Sequence, residues 1–561
     1  MKKNWWKEAV VYQIYPKSFQ DSNGDGIGDI PGIITRLDYL KELGINVIWL
    51  CPVYKSPMDD GGYDIADYYQ VDEMFGSNQD LEELLTKANQ LGMKVLMDLV
   101  VNHTSDEHAW FQEAIKDPTS PYRDYYVFRE GRGGQAPNNW RSYFGDSAWD
   151  LVPGEDNLFY LHAFTKKQPD LNWENDNLRQ DIYDMINYWL DKGLAGFRID
   201  AILNIKKRIE LGDFPADGED GLTFIGPWIL NQPGIEIWLK EMKEKTFIPH
   251  DSMTVAEANV PHERLGEYIG EDGFYSMVFD FSYTDIDVPT TGEWFKPSGW
   301  TWPLFAEKVF ESQVETQKQG WGATYLENHD QPRSLNKYLP AADINNESKK
   351  MLATLWMMLR GTPFIYQGEE LGMTNNAGMT AISDFDDIAT HDQFHRAKLS
   401  GMTQTAAFEA VSQRSRDNSR TPMQWENSKN AGFSTADQTW LKVNPNYPEI
   451  NAASEISDED SVFRYYQQLI ALRKNSIYRD VVIYGEFQPV LTDNSQTIVY
   501  LRRLVEKEIL IAVNVTNEVQ EIVIPEGFNH FILGNYGREN FSAGQLMLKP
   551  YESLIIANFG G

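Results

Sequence analysis

Eight short apolar runs, separated by longer stretches of helical period, constrain this chain more than any other feature of its sequence. The runs lie at 10–19, 47–52, 94–103, 196–202, 254–258, 276–282, 322–330 and 363–370 and are rich in Val, Ile and aromatic residues. Runs of this kind alternating with helices predict parallel strands joined by crossover helices. Leu81, Leu84, Leu85, Ala88 and Leu91 fall at helical spacing after the candidate caps Ser77 and Asn78, with Gly92 as a stop. Ile34, Leu37, Leu40 and Leu43 make another stripe before Gly44, and Leu178, Ile182, Met185, Ile186 and Trp189 a third before Gly193. Eight strands, each followed by a helix, predict a closed (β/α)8 barrel of the TIM type, an α/β fold, rather than an open doubly wound sheet.

Three stretches fall outside this repeat. Residues 104–172, rich in Asp, Asn, Gly and aromatics, form an expected inserted domain after strand three, and 374–460 a second insertion after strand eight. From 481 to 561 the pattern turns to short β runs, at 497–501, 509–515 and 553–557, which predict a C-terminal antiparallel β-sandwich. The barrel itself is then assigned to 1–103 and 173–480.

Composition removes several classes of function. Fifty Lys and Arg against 83 Asp and Glu leave a net charge of −33 over 561 residues, so phosphate backbones and anionic membrane surfaces are repelled, and neither nucleic acid nor membrane is an expected partner. A single cysteine, Cys51, excludes an internal disulfide and a thiolate metal cluster and suits a reducing compartment. It is expected to be a small buried residue. The opening MKKNWWKEAVVYQIYPKSF reaches charged residues before any signal-length apolar run, which predicts a cytoplasmic protein, and nothing calls for a second copy beside a monomer. Aromatic residues make up 13% of the chain, and aromatic faces stack on sugar rings.

Catalytic groups of such a barrel project from the carboxyl ends of its strands. Four runs end in polar residues: DLVVNH in Asp98, Asn102 and His103, GFRIDAI in Arg198 and Asp200, VAEAN in Glu257, and YLENHDQPR in His329 and Asp330. Such a set suits glycosidic bond cleavage, in which one carboxylic acid protonates the leaving oxygen and a carboxylate on the opposite face attacks the anomeric carbon. Arg198, two residues before Asp200, shares its strand face and can keep it ionised. His103 and His329 can bind sugar hydroxyls. Spacing alone does not divide the roles among the acids. Separately, DSNGDGIGD presents Asp21, Asn23, Asp25 and Asp29, with the Ile27 carbonyl, as oxygen ligands for a hard divalent cation. An EF-hand is excluded, because its twelfth position is Gly32 rather than Glu.

DLVVNH, GFRID, the Glu257 segment and NHD, in this order, resemble the four conserved regions of the alpha-amylase family of glycoside hydrolases. QIYPKSF, QPDLNW, IYQGEELGM and RDNSRTPMQW extend the likeness over the whole chain, toward the oligo-1,6-glucosidase and dextran glucosidase group. The resemblance implies a retaining mechanism with Asp200 as nucleophile, Glu257 as general acid/base and Asp330 as transition-state stabiliser. It implies that Asp60 and Tyr63, in DDGGYDIADY, grip the terminal glucose, that Arg416 pairs with that aspartate, and that Arg420 contacts sugar. Phe144, Phe164 and Gln168 occupy wall positions by the same likeness. The 21–29 loop resembles that group's calcium or magnesium site, a structural ion. No organic cofactor is implied. The expected substrate is a short α-glucooligosaccharide, α-1,6-linked, attacked from its non-reducing end.

Two positions depart from that group. Ala201, after Asp200, stands where α-1,6-preferring relatives typically carry Val, and its smaller side chain widens the first leaving-group subsite, which leaves α-1,4, α-1,3 and α-1,2 linkages open. Ala256 replaces a Gly before Glu257. The rival activities are trehalose-6-phosphate hydrolysis, sucrose isomerisation and transglucosylation. QPDLNW rather than QADLNW, and the absence of Arg from FSYTDIDVPTTGEWF, speak against the first two. A non-catalytic transporter subunit would carry a membrane anchor and lose catalytic acids, and neither holds here.

Overall fold

The computed structural model describes residues 4–210, 212–218, 220–289, 292–538 and 543–560. Lys2 and Lys3 of the opening segment, and Thr290 and Thr291 of the loop after strand six, lie outside the described residues.

Eight parallel strands form the barrel: Val11–Ile14, Val47–Leu50, Lys94–Val100, Gly196–Asp200, Met253–Ala256, Met277–Val278, Ala323–Thr324 and Thr362–Tyr366. They are hydrogen-bonded in the order sixth, fifth, fourth, third, second, first, eighth, seventh. A parallel bridge between Phe279 and Ala323 closes the ring. The period-two alternation explains why both strand faces are apolar. Val11, Val47, Trp49, Leu96, Val255, Met277, Phe279 and Phe364 fill the interior, while Tyr12, Ile14, Ile48, Val95, Met97, Phe197 and Ile199 face the helices.

The strands are shorter than the apolar runs. The first ends at Ile14 because Pro16 opens a 3-10 turn, having no N–H to extend the ladder. The sixth and seventh keep two residues each. The helix predicted through Ile34, Leu37, Leu40 and Leu43 is two helices, Ile30–Thr35 and Leu37–Leu43. Arg36 breaks it: its guanidinium lies 4.1 Å from the Trp425 ring and its Nε donates to Gln20 at 2.7 Å. Ser77 closes a capping box with Asp80 ahead of Asn78–Gln90.

After strand three come a helix, Ala109–Lys116, and a three-stranded antiparallel sheet of Phe128–Glu130, Leu158–Leu161 and Trp149–Leu151. Its core of Trp140, Trp149, Phe159 and Leu161 also takes in Ile225 and Ile229. Thr223–Phe224 pairs with Trp140–Arg141. Residues 223–229, which the sequence reading leaves with the barrel, are therefore packed into this lobe.

The C-terminal strands Glu486–Val490, Thr497–Leu504, Lys507–Asn514, Ser553–Ala557 and His530–Gly534 form one antiparallel sheet in that spatial order, and Gln520–Ile524 pairs with Gly544–Leu548. Val499, Leu510, Ala512, Ile522, Leu546 and Ile556 fill the space between the two sheets, making a sandwich. The other face, with Tyr500, Ile511 and Ile555, joins the helix-facing core of the barrel. Tyr500 Oη donates to the Leu355 carbonyl and Arg502 Nη1 to that of Met358, at 2.9 and 2.8 Å.

Two glycines, Gly196 opening the fourth strand and Gly193 just before it, test this packing. Gly196 has φ +147°, and a Cβ there would stand 1.8 Å from the Met253 carbonyl oxygen, whereas Gly193, φ +102°, faces open space. Gly196→Ala should cost about 3 kcal/mol or more, from backbone strain plus overpacking. Gly193→Ala should cost about 1–2 kcal/mol, from the left-handed backbone alone. Urea midpoints of the two variants measure the difference.

Candidate active site

At the carboxyl ends of strands three to five the inward-facing column turns from apolar to charged. Register sets Arg198 level with Asp98 on one side and Val255 on the other. Arg198, 2% exposed, donates from Nη1 to Asp98 Oδ1 and Asp200 Oδ1, both at 2.7 Å, and from Nη2 to Glu257 Oε2 at 3.1 Å. Trp49 Nε1 holds the other oxygen of Asp98 at 2.7 Å. One guanidinium thus serves three carboxyls in a water-poor site. Burial raises the Asp98 carboxyl to about 6, against the pull of Arg198 and Trp49. It also pushes Asp200 well above the carboxylate range, with Glu257 and Asp98 adding to the shift and Arg198 opposing it. Both shifts favour the protonated carboxyl over the anion.

Asp330 sits in the opposite environment. Arg420 Nη2 and Arg416 Nη1 reach its Oδ1 at 2.9 and 3.2 Å, and His329 Nε2 lies 3.1 Å from Oδ2. Burial alone would raise it, but His329, Arg416 and Arg420 together hold it far below the usual range. His329 is kept neutral by burial, its pKa lowered to about 3. Gln13 Nε2, 2.8 Å from Nδ1, leaves the imidazole proton on Nε2, toward Asp330 and the Tyr63 hydroxyl at 2.6 Å. Tyr63 stacks on the His329 ring at 5.5 Å.

The remaining sequence-predicted residues gather on the same side. Arg416 Nη2 reaches Asp60 at 3.3 Å, and Gln168 Nε2 donates to the other Asp60 oxygen at 3.2 Å. Burial raises the Asp60 carboxyl despite Arg416 and Arg420. His103 Nε2 lies 3.1 Å from both the Tyr63 carbonyl and Gln168. Its ring rests 5.0 Å from Phe164, which in turn lies 6.0 Å from Phe144. Ala201 adopts φ +40°, ψ 32°, uncommon for a residue with a Cβ, and its N–H donates to Glu257 at 3.2 Å. The cavity bordered by Tyr15, Asp60, Arg416, Arg420 and Trp440 measures about 20 Å3, room for about one water and not for a sugar.

The 21–29 loop lies apart from this cluster. Asp21 accepts from the N–H groups of Asn23, Gly24 and Gly26, Asn23 from Asp25, and Asp25 from Ile27, while Asp29 caps Gly32 and accepts from Ser22. Among the described residues no three His, Cys, Asp or Glu side chains form a metal-ligating group. Asn23, Asp25 and Asp29 are hard oxygen donors with lone pairs to spare, whereas both Asp21 oxygens are fully taken, Oδ2 also by the Ser434 hydroxyl, so a hard cation fits the donor type but would displace hydrogen bonds at Asp21.

Four supporting residues escape a reading of strand ends. Gln13 and Trp49 lie inside apolar runs. Asp64 holds the N–H groups of Asp59 and Asp60 at 2.8 and 3.1 Å. Asp387 accepts from Arg416 Nε and Nη2 at 2.9 and 2.6 Å, closer than Asp60 or Asp330. The signal that marks Asp387 is its place ahead of the helix Ile388–Leu399, as an N-cap.

The raised acids set the pH dependence of stability. Asp64 and Asp98 are lifted by burial to about 6 and Glu370 to about 7. Each binds its proton more tightly when folded, so its contribution is greatest at low pH and is lost as pH rises past about 4 toward 6–7. Asp387, lowered to about 2 by Arg416 and Arg420 against its burial, acts oppositely and loses its contribution only in strong acid. The melting temperature should therefore rise as pH falls from about 8 to about 5.5 and drop steeply below about 4. Scanning calorimetry across that range checks both limbs.

The chain matches the alpha amylase catalytic-domain model over residues 13–483. An oligo-1,6-glucosidase of Bacillus cereus is 44% identical over 99% of both chains. A glucan 1,6-alpha-glucosidase of Streptococcus dysgalactiae subsp. equisimilis is 44% identical over 93% of each. Among solved structures, trehalose-6-phosphate hydrolase of Bacillus licheniformis superposes with a TM-score of 0.91 at 40% identity, over 99% of this chain and all of that one. With a closed parallel barrel bearing carboxylates at its strand ends, the chain belongs to the alpha-amylase family of glycoside hydrolases.

Proposed function

We propose that the chain is a retaining, exo-acting α-glucosidase that releases glucose from the non-reducing end of short α-1,6-linked glucooligosaccharides. The observation that carries this reading is the single guanidinium of Arg198 shared by Asp200 and Glu257. Two carboxyls reached by one guanidinium, at 2.7 and 3.1 Å, are held near each other, which supports a nucleophile with a neighbouring acid/base rather than a pair spread apart around a water. Burial raises Asp200 and Arg198 opposes that rise; with the proton of the pair residing on Glu257, the Asp200 carboxylate attacks the anomeric carbon. Glu257, the more exposed of the pair with 31% of its side chain open against 13%, protonates the departing oxygen and then takes a proton from the incoming water. Asp330, kept anionic by two arginines, stabilises the oxocarbenium-like state.

Exo action is supported by the narrow space of about 20 Å3 bordered by Asp60, Arg416 and Arg420, which has no room for a second sugar. A neutral leaving group is favoured over a phosphorylated one. After strand four, Arg141 pairs with Asp217 and Asp220, Lys206 with Glu174, Arg208 with Glu210 and Lys207 with Asp170, so their charge is already met. The α-1,6 preference rests on the oligo-1,6-glucosidase and glucan 1,6-alpha-glucosidase relatives. A cation in the 21–29 loop is structural and takes no part in the chemistry. No helix among the described residues is long and apolar enough to cross a membrane. The single buried cysteine supports action in the cytoplasm.

Glucose release from isomaltose and panose should exceed that from maltose, nigerose, kojibiose, sucrose and trehalose 6-phosphate, and inertness toward every α-glucoside would refute the enzyme. Asp200→Asn should fold with an unchanged melting temperature and lose more than about 10³-fold in kcat, roughly 4 kcal/mol of barrier. Adding calcium after EDTA treatment should raise the melting temperature of the wild type but not of Asp25→Ala, with kcat on isomaltose unaltered below the transition.

A further inference from the structure

Arg416 lies between three carboxylates, and the closest is one that no sugar can reach. The Asp387 side chain is fully buried behind the guanidinium, and a single oxygen accepts from both Nε and Nη2. A guanidinium is planar, so gripping one edge fixes the direction of the others. The remaining contacts, to Asp330 at 3.2 Å and to Asp60 at 3.3 Å, are longer. Asp387 is in turn fixed at the head of the helix Ile388–Leu399, where it accepts from the N–H groups of Ala389 and Thr390 and from the Thr390 hydroxyl. Its own N–H is held by Asp417, the neighbour of Arg416.

We propose that Asp387 is a positioning residue that orients Arg416, so that the helical insertion after strand eight sets the grip on the terminal glucose and the placement of Asp330. This rests on the α-glucosidase reading. Asp387 touches neither the sugar nor the reacting atoms and acts only through Arg416.

Asparagine caps a helix as well as aspartate does but carries no charge, so Asp387→Asn separates the two roles. With isomaltose and a p-nitrophenyl α-glucoside as substrates, Asp387→Asn should lower kcat/KM on the order of tenfold to a hundredfold, the worth of charged hydrogen bonds. The inhibition constant for glucose should rise with it, both measured well below a melting temperature that the loss of the Asp387 charge lowers. In an Arg416→Ala background the same substitution should change kcat/KM less than twofold, because the group it acts through is gone. Wild-type kcat/KM in Asp387→Asn, or an equal loss in both backgrounds, would overturn the proposal while leaving the glucosidase reading intact. A wild-type chain inert on both substrates would overturn that reading, and this one with it.

Discussion

The structure depends on one buried cation. Arg198 stands at the axis of the barrel with three carboxyls, from three successive strands, around it. Without it, Asp98, Asp200 and Glu257 would be charges in a poorly solvated interior, each costing several kcal/mol. Register fixes the arrangement, since Arg198 lies level with Asp98 and two residues below Asp200 on the same face. The barrel is therefore more than a frame on which a site is mounted. Its interior layers, apolar at Val11, Val47, Leu96 and Met253, end in a charged layer that is the candidate site.

The division of labour among the acids follows from how many cations each one shares. Asp98, Asp200 and Glu257 divide one guanidinium, too little to offset burial, and Asp98 and Asp200 are raised. Asp330 receives two, from Arg416 and Arg420, and is held far below the usual range. Identical side chains are thus pushed in opposite directions by their surroundings, as acid and base chemistry on one substrate demands. The two arginines come from the excursion after strand eight, so the barrel alone does not complete the site.

Much of this was legible in the sequence where the physics is local. Strands one to five and eight, and the helices carrying the stripes Leu81–Leu91 and Leu178–Trp189, follow from periods of two and 3.6. The polar residues ending the strands stood out against apolar runs. The shortening of strands six and seven was not legible, because residues 276–282 and 322–330 keep an apolar pattern whether or not their ladder continues. Nor was the break at Arg36, which depends on Trp425 nearly four hundred residues away. Gln13 and Trp49 read as packing, and only the folded chain turns them toward His329 and Asp98. Arg416 and Arg420 were reached through family likeness, and Asp387 only through the structure, since a cap announces a helix but not the guanidinium it faces.

The union of the C-terminal sheet with the barrel has a consequence for how the protein folds. Ser553–Ala557 takes an interior place between Lys507–Asn514 and His530–Gly534. The sheet that packs on the helix Asn346–Met357 is therefore continuous only once a strand from later in the chain has been inserted between two earlier ones. Such a non-local step is slow, and until it is made two strand edges stand open to the wrong partners.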